Sequence, residues 1–319
     1  MTSQPDAGIP RPPDSGAPRA AADLRVGFVG LGRMGWPMAH NLAAAGVRLT
    51  VRDSDDSVQQ RFLDDHGGRG ASSPADFADA DVVITMLPDG SVVRHVLLEW
   101  EGGIAGAMAA GSLVVDMSSS APTDTLELAA TLAARSIGVV DAPVSGGLVR
   151  ATDGTLSIMV GGDDDAIARA VPLLDVLGDP ARRFACGGLA SGHAMKALNN
   201  FVGAANYAAT AEALAIGRAF GLASKTMVET INASTGRSFE SEVVLEHHVV
   251  NGAYATGFGL GLLAKDVAIA ASLAERVEVD APTAELMHAR WRDAESRLGG
   301  ARDHSEAHQA WWDIELTAG

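Results

Sequence analysis

The sequence predicts an α/β chain: a Rossmann-type N-terminal domain with a parallel sheet, followed by an all-α C-terminal domain. Three observations carry this. Short β-branched runs alternate with amphipathic helical stretches from Leu24 to about Phe184, the pattern of a parallel sheet wrapped by crossover helices. The segment Gly30-Leu31-Gly32-Arg33-Met34-Gly35 follows the first of these runs and opens a helical stretch. Beyond about Gly188 strand signals vanish and the chain reads as successive helices.

The elements follow in order. Residues 1–22 hold Pro5, Pro10, Pro12, Pro13 and Pro18 among small and polar residues; with no apolar run to form a signal-peptide core, they read as a disordered tail. Arg25–Val29, Val47–Val51, Asp81–Met86, Leu113–Asp116, Gly138–Val140 and Thr155–Val160 are strand-like. Between the first two, Met34, Met38, Leu42 and Ala45 fall at helical spacing, so the first unit is strand, helix, strand. A dinucleotide-binding domain is expected over 23–188, and a helical domain for substrate binding and dimerisation over 189–319. Helices are expected near 190–219, 225–233, 238–248, 260–276 and 281–297. The first would be roughly 45 Å long at 1.5 Å per residue, too long for about 130 residues to cover. It is expected to bridge domains or subunits, which favours a homodimer or homotetramer. Lys196, Asn199, Asn200, Asn206, Glu212 and Arg218 interrupt this apolar stretch and argue against a membrane span.

Composition narrows the function. A formal net charge of −16 over 319 residues opposes general affinity for nucleic acid or an anionic membrane. An anionic substrate then requires a locally positive pocket. The single cysteine, Cys186, allows no internal disulfide, no CxxC pair and no Cys/His metal cluster. No metal is expected, and a cytoplasmic location fits.

The glycine motif has physical meaning in its strand–helix context. Gly30 permits the tight turn, Gly32 lets the backbone approach a pyrophosphate, and Gly35 allows helix to pack closely on strand. The helix N-terminus supplies N–H groups and the positive dipole end. Asp53 stands 18 residues past Gly35 at the end of the second strand, where a carboxylate accepts hydrogen bonds from the adenosine ribose and repels the extra phosphate of NADP. Capping the next helix is its alternative role, one equally open to Ser54. NAD is therefore preferred; Arg52 keeps NADP open.

From Arg25 to about Asp303 the sequence resembles the β-hydroxyacid dehydrogenase family. The resemblance is carried by four ordered segments: Gly30 to Leu42, Asp141-Ala142-Pro143-Val144-Ser145-Gly146-Gly147 with Gly154-Thr155-Leu156 and Met159-Val160-Gly161-Gly162, Gly192-His193-Ala194-Met195-Lys196-Ala197-Leu198-Asn199-Asn200, and Lys265-Asp266. It implies an oxidoreductase moving a hydride between a nicotinamide cofactor and a small anionic hydroxy acid or its semialdehyde. Lys196 becomes the general acid of reduction and general base of oxidation, with Asn200 supporting substrate or lysine. Read by themselves, Lys196 and Asn200 are i and i+4 on one helix. A lysine on an apolar face there either reaches solvent or takes a lowered pKa suited to proton transfer.

Ser118, Ser119, Ser145, Gly146 and Gly147 lie at carboxyl ends of strand-like runs, where doubly wound sheets bind ligands; ordinary turn chemistry also selects Ser and Gly there. The resemblance implies substrate contacts for Ser118, Ser145, Gly146 and Gly147. It implies cofactor contacts for Gly30, Leu31, Gly32, Arg33, Met34, Gly35, Asp53, Leu87, Pro88, Ser119 and Lys265. Arg237 is a further candidate for a substrate acid group. Two departures stand out: Ser54 occupies the position where NADP-using relatives commonly carry arginine, and the proline-rich start lies outside the pattern. Imine reductases resemble the family without the lysine, and 6-phosphogluconate dehydrogenases carry a larger helical domain. A non-catalytic dinucleotide sensor would have no reason to keep Lys196, Asn200 and Ser145-Gly146-Gly147 together.

Overall fold

The computed structural model of the protein describes residues 19–317. Most of the expected tail, residues 1–18, lies outside them. Residues 19–22, expected in the same tail, join the fold: Ala21–Asp23 form a 3₁₀ turn, and Arg19 pairs with Asp81 at 3.3 Å.

The first half runs β1 (Arg25–Val29), α1 (Gly35–Ala44), β2 (Arg48–Arg52), α2 (Asp56–His66), β3 (Arg69–Gly70), β4 (Val82–Thr85), α3 (Gly90–Arg94) and α4 (Ile104–Ala107). It continues through β5 (Leu113–Asp116), α5 (Pro122–Ala133), β6 (Gly138–Asp141), β7 (Val144–Ser145), α6 (Gly147–Asp153), β8 (Leu156–Gly161), α7 (Asp164–Leu177) and β9 (Gly178–Gly187). The strands form one sheet in the order β3-β2-β1-β4-β5-β6-β8-β7, with β9 also pairing with β8. Strands β1 to β6 are parallel; β8 departs from the expected parallel sheet by running antiparallel to β6 and β7. Alternate strand residues face opposite layers. Val26, Phe28, Val82, Ile84, Leu113 and Val115 pack with Met38 and Leu42 of α1 and Leu173 of α7. Val29, Val83 and Val114 pack with Val93, Ile104, Leu128 and Leu132 on the other face. Strand order reverses direction between β1 and β4, the switch point whose crevice binds dinucleotides in such sheets.

The second half is helical: α8 (Ser191–Phe220), α9 (Ser224–Asn232), a π-helical segment Glu240–Val249, α10 (Leu260–Arg276), α11 (Pro282–Leu298) and α12 (His308–Trp311). Its core gathers Tyr207, Leu214, Leu245, Val267 and Trp291. The first turn of α8 rests on the sheet: Asp141, at the end of β6, accepts from the backbone N–H of Ala190 (2.7 Å) and of His193 (2.8 Å). One side chain of the sheet thus satisfies two amides at the start of the long helix, and α8 carries that anchorage into the helical half. No helix is long and apolar enough to cross a membrane among the described residues.

Candidate active site

The glycine motif is built for close approach. Gly30 has φ +99°, and a Cβ there would collide with the Met86 carbonyl; a Cβ on Gly35 would collide with the Gly30 carbonyl. These two glycines are required by the protein's own packing. Gly32 differs: a Cβ there would meet nothing within 4 Å, so the protein's own packing does not call for a glycine at this position. An open, exposed glycine at a helix N-terminus between two packed ones fits a dinucleotide pyrophosphate. Asp53 Oδ2 accepts from Leu31 N at 2.7 Å and Oδ1 from Asp55 N at 2.9 Å. The carboxylate is thereby locked beside the motif with lone pairs to spare; the cap of α2 is supplied by Asp55 instead. Arg52 is turned away, bonded to Asp56 at 2.7 Å with its guanidinium 5.2 Å from the Trp100 ring centroid. Arg33 is exposed and lies against Gly257 of the helical half.

Beside this cradle the loops after β4 and β5 are tied together. Asp116, buried at the end of β5, accepts from Thr85 Oγ1 (2.8 Å), Ser118 N (3.0 Å) and Ser120 Oγ (2.7 Å). Ser118 Oγ accepts from Leu87 N at 2.9 Å. Ser118 is fully buried, and in this structure its hydroxyl supports the Leu87 loop at the sheet edge. Ser119, half-buried beside it, and Pro88 offer their carbonyls to Lys265 Nζ, the latter at 3.0 Å.

Lys265 reaches these loops from α10, and Asp266 beside it accepts from Asn200 Nδ2 of α8 at 2.6 Å. Lys265 Nζ also lies 3.3 Å from Asp266 Oδ1. Lys196 stands one turn before Asn200. Burial holds its ammonium below the usual lysine pKa range, Asp266 opposes that shift and Lys265 adds to it. Among the described residues no acceptor comes within ion-pair distance of Lys196 Nζ, while Lys265 takes the contact with Asp266. A desolvated amine left without a protein partner is suited to exchange a proton with a ligand. Ser145, Gly146 and Gly147 form the turn between β7 and α6. Gly146 (φ +128°) and Gly147 (φ +64°) are exposed, and open space surrounds Gly147.

The structure thus brings Leu87, Pro88, Ser118, Ser119, Asn200 and Lys265 into one connected set, with Lys196 on the helix that joins it. It does not bring in Arg237, which is exposed and paired with Glu242 at 2.7 Å. Sequence reasoning passes over Asp116, Asp141 and His193. The signal is present: a lone acid closing an apolar strand in Val114-Val115-Asp116 and Val139-Val140-Asp141, at the sheet edge where ligands bind, and a histidine i−3 to the lysine.

These features define a dehydrogenase that binds a nicotinamide dinucleotide. The description "NAD binding domain of 6-phosphogluconate dehydrogenase" matches residues 25–188, and "NAD-binding of NADP-dependent 3-hydroxyisobutyrate dehydrogenase" matches 190–311. The 2-(hydroxymethyl)glutarate dehydrogenase of Eubacterium barkeri is 34% identical over 288 residues, 90% of this chain and 95% of its own. The NAD-dependent L-serine dehydrogenase of Pseudomonas aeruginosa is 36% identical over 272 residues, 82% and 89% of the two chains. The solved 3-hydroxyisobutyrate dehydrogenase of Mycobacterium tuberculosis with L-serine superposes with a TM-score of 0.80 at 29% identity, covering 90% of this chain and 99% of that one. The chain belongs to the β-hydroxyacid dehydrogenase family and is an NAD(P)-dependent dehydrogenase acting on CH–OH groups.

Proposed function

We propose that the protein oxidises a small 2-substituted 3-hydroxypropanoate to its semialdehyde, or runs the reverse reduction, with NAD as preferred cofactor and Lys196 as the proton-transfer residue. The reading rests first on Lys196, which is half-buried on the helix that joins the cofactor loops and whose ammonium has no ion-pair partner among the described residues. The substrates named for the three relatives above support the class. 2-(Hydroxymethyl)glutarate, L-serine and 3-hydroxyisobutyrate all carry a primary alcohol on the carbon next to the one bearing the carboxylate, and differ only in the substituent on that second carbon.

Gly30, Leu31, Gly32, Arg33, Met34 and Gly35 would hold the pyrophosphate, Asp53 the ribose, and Leu87, Pro88, Ser119 and Lys265 the nicotinamide end. When bound, the nicotinamide supplies the two-electron acceptor or donor. In oxidation, neutral Lys196 Nζ removes the hydroxyl proton as the C–H bond gives up hydride. In reduction, the ammonium returns that proton to the carbonyl oxygen and stabilises the negative charge that builds there. Asn200, held by Asp266, keeps the reacting oxygen or the lysine in register. Ser145 Oγ and the N–H groups of Gly146 and Gly147, in a left-handed turn, are suited to the substrate carboxylate.

The domain division proposed is 23–188 for the dinucleotide and 189–319 for substrate and assembly. Along α8, Val202, Ile216 and Phe220 are 54%, 65% and 84% exposed. A cavity of about 300 Å³ between α8, α10 and the start of α11 is lined by Leu198, Phe201, Leu273, Val277 and Val279. So much exposed apolar surface on one half supports at least a homodimer. A cytoplasmic location remains part of the proposal. The test is a panel of 2-substituted 3-hydroxypropanoates and short hydroxy acids, assayed by absorbance of the reduced nicotinamide with NAD and NADP in parallel. Turnover confined to acids that lack a hydroxymethyl group on the carbon bearing the carboxylate would refute the substrate class.

A further inference from the structure

The proton-transfer helix carries a second ionisable group that the mechanism leaves without a task. His193 lies one turn before Lys196 on α8 and is almost wholly buried. Its ring spans two assemblies. Nε2 meets the Ser118 carbonyl at 3.1 Å, with Asp116 Oδ2 at 3.6 Å; Nδ1 meets Thr125 Oγ1 at 2.7 Å, with Asp141 Oδ2 at 3.9 Å. Both oxygens facing Nε2 are acceptors, so Nε2 carries hydrogen. Thr125 has one hydroxyl proton, which goes either to the Ala121 carbonyl at 3.1 Å or to Nδ1.

We propose that His193 is a positioning residue: its two hydrogen bonds fix the first turns of α8, and with them Lys196 Nζ, against the loop after β5. This rests on the reading of Lys196 as the proton-transfer group. Asp116 organises that loop through Thr85, Ser118 and Ser120, and Asp141 holds the start of α8 through two amides. Each carboxylate makes one side of the site rigid, and neither by itself sets the distance between the sides. Among the described residues, His193 is the side chain that hydrogen-bonds the first two turns of α8 to Ser118 and to Thr125. A lysine displaced by about 1 Å from its reacting oxygen forfeits roughly 10²-fold in rate, so the bridge has kinetic leverage without touching a ligand.

Glutamine tests the bridge, because its amide N–H can donate to the Ser118 carbonyl while its oxygen accepts from Thr125. His193→Gln, His193→Leu and Lys196→Ala are compared by kcat, KM, NADH affinity from fluorescence quenching, and Tm. His193→Leu is expected to lose about 10–100-fold in kcat with NADH affinity held within about threefold, and His193→Gln to recover most of that loss. A leucine variant with native kcat overturns the inference. So does a glutamine variant as slow as leucine, or a loss of NADH affinity as large as the loss of kcat. If leucine leaves the chain unfolded, His193→Ala decides, since water in the vacated space satisfies Ser118 and Thr125 without holding them; native kcat there refutes the bridge. Lys196→Ala retaining turnover would refute the lysine reading instead, whatever the His193 variants do.

Discussion

Replacing Asp53 by Asn should erase most of a preference for NAD over NADP. The carboxylate is fixed by the amides of Leu31 and Asp55 at 2.7 and 2.9 Å, so it cannot swing away from a phosphate placed on the adenosine ribose. At a separation of roughly 4 Å and an effective dielectric of about 20, one pair of unit charges repels by about 4 kcal/mol. Asp53 is only partly buried, and solvent and salt cut this to about 1.5–2 kcal/mol, a preference of roughly 10–30-fold. Arg52 does not offset it, being held by Asp56 and Trp100. The substituted amide keeps an oxygen for Leu31 N and gives up only the acceptor for Asp55 N at the exposed start of α2, so the motif stays in place while the charge is removed. The assay is kcat/KM for each cofactor at saturating substrate; Asp53→Asn should bring the ratio near one, and adding Ser54→Arg should invert it. A native enzyme preferring NADP tenfold or more, or a ratio unmoved by Asp53→Asn, would refute this electrostatic reading.

Other positions separate folding from binding. Gly32→Ala should change stability by no more than about 0.5 kcal/mol, since its Cβ would meet nothing, yet weaken NADH binding about tenfold or more by intruding on the pyrophosphate; calorimetric titration beside a thermal melt reads both. Asp266→Asn removes the charge that raises the Lys196 pKa. The lysine then loses its proton at lower pH, so the alkaline rise of kcat for oxidation should move to lower pH. An unmoved or upward-moved rise would contradict the coupling. Sedimentation should show a species at least twice the 32.8 kDa chain at micromolar concentration, and Ile216→Asp with Phe220→Asp should shift it toward monomer. A stable native monomer would refute the interface.

Much of this is legible because the strongest sequence signals are local. β1 and the α1 motif, β4, β5 and the helix at 260–276 fall within a residue or two of their expected bounds, since each is a continuous apolar run or a clean 3.6-residue pattern. β9 escapes such reading: Pro180, Arg182 and Arg183 break any alternation, and as an edge strand it buries little, leaving no periodicity to read. The stretch near 238–248 is helical as expected but π-wound over Glu240–Val249, a difference of hydrogen-bond register that composition does not encode. The glycines and Asp53 are readable from spacing. Ser118 falls at the expected sheet edge, yet whether its hydroxyl faces substrate or Leu87 N depends on the neighbouring strand. The buried Asp116–His193–Asp141 arrangement is assembled from three segments far apart in the chain, and each member alone resembles an ordinary polar residue at the end of an element.

Lys196→Ala, measured for turnover and for NADH binding on the same preparation, tests the proposed mechanism most directly. The lysine is the one proton carrier assigned to the reacting oxygen, so turnover should fall by about 10² to 10⁴, the range for losing a positioned general acid or base. NADH affinity should stay near native because the glycine motif and Asp53 lie on the other half of the fold. Lys196→Arg should fail to restore activity, since a guanidinium keeps its charge but does not release a proton near neutral pH. Retention of more than about a tenth of native turnover with normal NADH binding would mean that the proton comes from another group and that Lys196 does not carry the chemistry.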